Sequence, residues 1–130
     1  MGRRSASSTA VDSRTAAFAA ANAAEVKKGK GTVVLDVREV TVLADYFVIT
    51  GGDSPSQVRA IVEAVDDKLG PLGCKALGIE GKSESRWVLL DYGDVIVHVL
   101  HEKERGYYKL EQFWNQALMV DRSEWEQQEE

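Results

Sequence analysis

The stretch RWVLLDYGDVIVHVLH (Arg86–His101) decides the fold, because two apolar runs in it flank a two-residue break. That break, Gly93-Asp94, is typical of the tight turn of a β-hairpin. Runs of this length that are rich in Val, Ile and Leu are typical of half-buried β-strands. The sequence therefore predicts a hairpin whose strands cover Arg86–Tyr92 and Val95–His101.

The turn also determines which side chains share a face of this hairpin. With a two-residue turn Tyr92 pairs with Val95, and side chains then alternate between two faces along each strand. One face is expected to be core: Val88, Leu90, Tyr92, Val95, Val97 and Val99. The other face, which we call the mixed face, holds Trp87, Leu89, Asp91, Ile96, His98 and Leu100. Because it combines large apolar groups with an acid and an imidazole, we expect it to be half-covered by another element or to be a docking surface.

A helix is predicted to begin after Ser54, the expected N-cap. Pro55 occupies the first helical position and Gln57 completes a capping box. Its apolar side chains recur at helical spacing and form one stripe: Val58, Ile61, Val62, Val65 and Leu69. The Gly-Pro pair at residues 70–71 is expected to end this helix.

Weaker patterns predict the remaining elements. An alanine-rich helix over Ala16–Lys28 has a thin apolar face and is expected to pack peripherally. A last helix, Tyr107–Ala117, is expected to follow a charged link, Glu102–Arg105, and a helix breaker, Gly106. Further strands are predicted at Thr32–Val37, Tyr46–Thr50 and Lys75–Ile79.

Together these elements predict a single α/β domain with a mixed sheet flanked by helices. We expect the domain to cover residues 16–118. Residues 1–15 are predicted to be a flexible leader, and residues 119–130 a disordered acidic tail, because both stretches are polar and lack periodicity.

The composition is that of an ordinary folded domain and argues against several classes of protein. The chain has 130 residues, of which 44% are hydrophobic and 28% charged, enough to bury a core without disulfides or metal. Its single cysteine, Cys74, cannot form an internal disulfide and is expected to be a small buried hydrophobe. No apolar run approaches the roughly 18 residues of a transmembrane helix. The net charge of −5 argues against binding mainly to nucleic-acid phosphates and favours a basic protein partner.

Two pairs of residues on the hairpin could carry chemistry, but structural roles explain them better. His98 and His101 stand three apart on a strand and point to opposite faces, so they cannot share a metal ion. Asp91 and Asp94 could hold magnesium, yet Asp is a common turn former and the hairpin accounts for both. We therefore predict no metal, no cofactor and no catalytic residues.

Four segments carry a family resemblance. They are LDVREVTVLADYFVI (Leu35–Ile49), TGGDSPSQVRAI (Thr50–Ile61), LGIEG (Leu77–Gly81) and RWVLLDYGDVIVHVLHEKERGYYKLEQFW (Arg86–Trp114). Together they resemble the ribosomal silencing factor RsfS / Iojap family. The most specific part is DYGDVIVHV followed by the acidic link, a tyrosine, Leu-Glu and a tryptophan.

The resemblance implies a mixed α/β domain of nucleotidyltransferase-like topology with no known catalysis. Members of the family bind the large ribosomal subunit through the protein numbered fourteen on its intersubunit face. They thereby block joining of the small subunit and repress translation, in the cytoplasm of bacteria, while organellar relatives act in assembly. Little direct RNA contact is expected. The partner-binding residues that the resemblance implies are Trp87, Leu89, Asp91, Tyr92, His98 and Tyr108.

Two other functions stay open from the sequence alone. A magnesium-dependent nucleotidyltransferase-like enzyme would use Asp91, Asp94 and the Gly51-Gly52 turn, although the usual pair of acids two residues apart is absent. A homodimer of the free protein could use the same exposed hairpin face.

Overall fold

The computed structural model describes residues 11–108 and 116–127, and the side chains of residues 11–106 and 116–127. The strands are β1 (Lys30–Asp36), β2 (Tyr46–Gly52), β3 (Gly78–Glu80), β4 (Trp87–Asp91), β5 (Val95–His101) and β6 (Leu118–Met119). The helices are α1 (Ser13–Val26), α2 (Pro55–Leu69), α3 (Glu102–Tyr108) and α4 (Arg122–Trp125), and a 3₁₀ turn covers Gly70–Leu72. Within these described ranges, no helix is both long and apolar enough to cross a bilayer.

The six strands form one mixed sheet in the order β3-β4-β5-β2-β1-β6. Its central pair, β2 and β5, is parallel, and the other pairs are antiparallel. In the hairpin Leu90 pairs with Val97, and the Tyr92 N–H donates to the Val95 carbonyl at 2.9 Å. The predicted hairpin register and the single α/β domain with a mixed sheet and flanking helices are thus confirmed. The nucleotidyltransferase-like topology stays a prediction.

One face of the sheet is covered by α1 and α2. Helix α2 begins as predicted, because the Ser54 hydroxyl accepts a hydrogen bond from the Gln57 N–H at 3.2 Å. All five residues of its predicted stripe are buried. They pack with the predicted core face of the hairpin, in a cluster that we call the helix-side core.

Helix α1 packs deeply, not peripherally as the sequence predicted. Six alanines of α1 are buried, and Ala17, Ala20, Ala21 and Ala24 are completely inaccessible. Because alanine has no side chain beyond Cβ, the helix axis can approach its neighbours closely and exclude water without large apolar groups. Val26, the last residue of the helix, is by contrast 74% exposed.

The opposite face of the sheet carries a second, smaller cluster. Its buried members are Leu35, Val37, Ala44, Phe47, Ile49 and Leu100. Trp87 and Ile96 of the hairpin pack against this cluster while staying partly exposed. The mixed face is therefore built on its own apolar base and does not share the helix-side core.

Both predicted chain ends differ from the structure. Helix α1 begins at Ser13, capped by Asp12, so this helix includes residues of the predicted leader. At the other end, β6 pairs with β1 and Trp125 of α4 is only 4% exposed within the helix-side core. Residues 119–127 are thus part of the folded domain, because an acidic stretch can be anchored by one large buried aromatic residue.

The region after β5 also differs from the prediction. Helix α3 begins at Glu102 and passes through Gly106, so the expected link and breaker are helical. The Arg105 guanidinium donates to the carbonyls of Lys30 and Gly31 at 3.0 and 2.7 Å and ties this helix to β1. Most of the predicted helix Tyr107–Ala117 lies outside the described residues. Strand β3 is also displaced from its predicted position, since it covers Gly78–Glu80.

The mixed face of the hairpin as candidate functional site

Trp87 and His98 form a connected pair on the mixed face. The Trp87 indole N–H donates to His98 Nδ1 at 3.2 Å, and the two ring centroids are 6.1 Å apart. From the other side the Phe47 ring meets the imidazole edge-on, with centroids 5.4 Å apart. The imidazole is thus held between two aromatic rings, and it fixes the orientation of the indole.

His98 is an uncharged hydrogen-bond acceptor in this arrangement. Its side chain is only 8% exposed, and burial lowers the pKa of His98 to about 4. At neutral pH the ring therefore lacks the second proton, and the bond from Trp87 requires that Nδ1 is the unprotonated nitrogen. His98 lies on the predicted face of the hairpin. Because it is buried, it offers little surface to a partner, and from below the surface it holds the half-exposed Trp87 ring in position.

The loop that precedes β4 also fixes the position of Trp87. Gly81 adopts a left-handed conformation with φ of +86°, and a Cβ atom there would lie 2.2 Å from the Trp87 carbonyl oxygen. The Ser85 N–H donates to the Gly81 carbonyl at 3.0 Å, which closes the loop. Only glycine tolerates this close approach, so the loop and the start of β4 are held in one arrangement.

Leu89 and Asp91 complete the accessible part of the mixed face. Both side chains are half-buried, and in register Leu89 stands opposite His98. One carboxylate oxygen of Asp91 accepts a hydrogen bond from the Gly93 N–H at 2.8 Å. This bond stabilises the hairpin turn, and a carboxylate remains at the rim of an apolar surface.

Tyr92 does not lie on this surface. It is 6% exposed, belongs to the helix-side core, and donates its hydroxyl to the Asp66 carboxylate at 2.7 Å. The regular alternation of the hairpin continues to the last residue before the turn and directs Tyr92 towards α2. The register prediction for Tyr92 is confirmed. Its place on the partner surface, which the resemblance implied, stays a prediction. Tyr108 is the last residue of α3, but its side chain lies outside the described residues.

Sequence reasoning missed Phe47 as part of the site. Strand β2 is buried along its whole length, as expected of a central strand with both faces covered. The parallel pairing of β2 and β5 places Phe47 opposite Ile96 and Ile49 opposite His98. The unbroken apolar run YFVI was the available signal, but only the sheet order shows which strand it joins.

The residues required by the enzyme alternative are far apart. Asp91 pairs with Ile96, which pairs with Phe47, whereas Gly51 pairs with Leu100 at the other end of β5. Four residues of strand separate the two ends by roughly 13 Å. Gly51 and Gly52 are also buried within β2 and do not form an open turn. Among the described residues, no three His, Cys, Asp or Glu side chains are grouped as metal ligands.

The fold and the site define a small mixed-sheet α/β domain that displays a half-buried apolar and acidic surface. The family model described as "Ribosomal silencing factor during starvation" matches residues 10–130. The chain therefore belongs to the ribosomal silencing factor family, which confirms the resemblance found in the sequence.

Relatives and a solved structure agree with this assignment. The chain is 42% identical over 102 residues to the ribosomal silencing factor RsfS of Bacillus subtilis, covering 78% of this chain and 86% of that protein. A crystal structure of a Chromobacterium violaceum protein matches with a TM-score of 0.78 and 32% identity, covering 92% of both chains.

Two organellar proteins are more distant relatives. The chloroplastic protein Iojap of Zea mays is 30% identical over 108 residues, which cover 81% of this chain and 46% of that protein. The protein of Mus musculus named "Mitochondrial assembly of ribosomal large subunit protein 1" is 33% identical over 73 residues, or 54% of this chain and 32% of that protein. The bacterial relative is thus named for silencing of ribosomes, and the mitochondrial relative is named for assembly of the large ribosomal subunit.

Proposed function

We propose that this protein binds the large ribosomal subunit through the mixed face of its hairpin and blocks joining of the small subunit. Its partner would be the basic protein numbered fourteen on the intersubunit face, as the family resemblance implies. The carrying observation is the oriented, half-exposed Trp87 indole, which shares one face of β4 with Leu89 and the rim carboxylate of Asp91.

The chemistry of this surface suits a protein partner. Tryptophan on an apolar base is the residue type that most often dominates the binding energy of an interface. Because the Trp87 ring is already oriented by His98, little side-chain freedom is lost on binding. The acid at the rim and the net charge of −5 favour a partner rich in Lys and Arg and disfavour RNA phosphates.

Silencing by this route requires no reaction. A domain that occupies the intersubunit face prevents the small subunit from approaching by steric exclusion alone. The large separation of Asp91 from Gly51 agrees with a function that depends on shape and fit.

Co-sedimentation with isolated large ribosomal subunits tests this proposal. Trp87→Ala is expected to weaken co-sedimentation at least tenfold, because it removes the largest apolar group of the surface. Asp91→Asn removes the charge but keeps the oxygen that accepts from Gly93 N–H, so it separates attraction from turn stability. We expect it to weaken binding about threefold and to reduce its sensitivity to salt.

Asp67→Asn is the matched control, because Asp67 is exposed on α2 on the far side of the sheet. It should bind like the wild type. Subunit joining, followed by gradient centrifugation of mixed subunits, should be blocked by the wild type and by the control but not by Trp87→Ala. Unchanged co-sedimentation of both hairpin variants would show that the assigned surface is wrong.

A further inference from the structure

The segment between β1 and β2 forms a closed loop with its own hydrogen bonds. The Val37 N–H donates to the Asp45 carbonyl at 2.9 Å and closes the base of the loop. Inside it, the Thr41 N–H donates to the Val37 carbonyl at 3.0 Å, and the Leu43 N–H donates to Thr41 Oγ1 at 3.1 Å. A loop closed in this way holds one conformation before any partner binds.

The tip of this loop presents two large apolar side chains to solvent. Val42 is 97% exposed and Leu43 is 69% exposed. Val37 and Ala44 on either side are buried in the smaller cluster that lies beneath the mixed face. The loop thus buries its ends and displays its tip. Adjacent apolar groups on a constrained loop form a ready contact for an apolar pocket.

The loop tip is continuous with the mixed face. The N–H groups of Asp45 and Tyr46 donate to the Asp94 carbonyl at 2.7 and 3.1 Å, which binds the loop to the hairpin turn. Ala44 also shares a cluster with Ile96 and Trp87. Both surfaces therefore stand on one apolar base. The loop lies beside the Asp91 and Ile96 end of the hairpin, and Trp87 lies at the other end of the same face.

Negative charge predominates at this end of the molecule. Arg38 is neutralised by Asp36, whose carboxylate accepts from it at 2.7 Å and has a lowered pKa because of that bond. Arg14 is likewise paired with Glu124 at 2.6 Å. The loop and the hairpin turn also carry four acids, Glu39, Asp45, Asp91 and Asp94, of which Asp45 accepts a hydrogen bond from the Ser13 hydroxyl at 2.8 Å. An apolar tip within an acidic rim is complementary to an apolar pocket bordered by Lys and Arg.

We infer that the Val42-Leu43 loop tip is a second contact element of the same partner-binding surface, inserting into an apolar pocket on the basic ribosomal protein. The inference rests on the proposed function. It extends the proposed binding surface from the mixed face of the hairpin to that face together with the preformed loop. A partner that contacts both the mixed face and the loop tip must fit two apolar elements in shape. It must also carry basic groups that match the acids of the loop and the hairpin turn.

The test is a double variant, Val42→Ser with Leu43→Ser, in co-sedimentation with isolated large subunits. Because both side chains are exposed, the variant should keep the thermal stability of the wild type. Co-sedimentation should weaken about tenfold, since two apolar groups no longer leave water on binding. Val26→Ser is the matched control: Val26 is 74% exposed on α1, on the other side of the sheet, and its loss should change nothing.

The possible outcomes distinguish failure of this inference from failure of the proposed function. If Trp87→Ala weakens binding and the loop variant binds like Val26→Ser, the inference is overturned while the proposed function stands. If the wild type itself does not sediment with large subunits, both are overturned. If the loop variant loses only self-association in light scattering, the tip contacts a second copy of this chain, and the inference is again overturned.

Discussion

The two faces of the sheet differ in what covers them and in what their side chains are. On the helix side, Val88, Leu90, Val97 and Val99 are completely inaccessible beneath α1 and α2. On the mixed face, the alternate residues of the same two strands include an indole, an imidazole and a carboxylate, and several stay half-exposed. The helix side is organised for stability, whereas the mixed face keeps large apolar groups within reach of a partner.

Two neighbouring leucines provide the sharpest test of this difference. Leu90→Ala should lower the free energy of unfolding by about 2–5 kcal/mol, because it leaves a cavity in the helix-side core. Leu89→Ala, one residue earlier and half-buried, should cost less than about 1 kcal/mol. Urea unfolding of both variants measures the two values.

Binding should show the opposite order. Leu89→Ala should weaken co-sedimentation with large subunits, whereas folded Leu90→Ala protein should bind like the wild type. Equal losses of stability in the two variants would show that the faces do not divide their roles in this way.

A smaller effect is expected from acid, because the mixed face holds a buried imidazole, that of His98. The pKa of His98 is lowered by burial to about 4, while in the unfolded chain it is about 6.5. The unfolded chain therefore binds a proton that the folded protein excludes, so His98 contributes a loss of stability as the pH falls from 6.5 towards 4. Its share should be about 2–3 kcal/mol at pH 4, relative to pH 7.

His98→Gln isolates this contribution, because glutamine can accept from Trp87 and does not titrate in this range. Denaturant unfolding of both proteins at pH 7 and pH 4 measures the difference, and carboxylates elsewhere affect both equally. Parallel pH dependences would mean that His98 is accessible to protons in the folded state. In that case the Trp87 indole would lose its acceptor once the imidazole is protonated in acid.

The sequence predicted what depends on local pattern and missed what depends on distant partners. The register of the hairpin follows from a two-residue turn, and the start of α2 follows from Ser54, Pro55 and Gln57. The depth of α1 could not be predicted, because an alanine is equally suited to a surface and to a close helix contact. Only the tertiary structure shows which applies.

The same limit explains the errors in the candidate site and at the chain end. Trp125 stands in an acidic stretch, and its contact with α1 together with the pairing of β6 with β1 makes that stretch part of the folded domain. The mixed face itself was predicted correctly by alternation, but the burial of His98 depends on Phe47 from a strand about fifty residues away. Alternation assigns a side chain to a face, whereas its exposure depends on the strands and loops that pack beside it.

Tyr92 is where the sequence-derived register and the family resemblance disagree, and it gives the smallest predicted effect. Its hydroxyl donates to Asp66, and burial together with this bond raises the pKa of Tyr92 well above its ordinary value, so it stays protonated. Tyr92→Phe keeps the ring in the helix-side core and removes one hydrogen bond. It should lower the free energy of unfolding by about 1 kcal/mol and leave co-sedimentation with large subunits unchanged.

Tyr92→Phe with Asp66→Ala completes a double-mutant cycle, because alanine removes the accepting carboxylate. The loss of stability in the double variant should be smaller than the sum of the two single losses if both report one bond. Thermal unfolding and co-sedimentation of the three variants decide between the two roles of Tyr92. A large loss of binding in Tyr92→Phe without loss of stability would place the hydroxyl at the partner surface. The hairpin would then rearrange at its turn when it binds, because in the free protein that hydroxyl is directed to α2, on the other side of the sheet from Trp87.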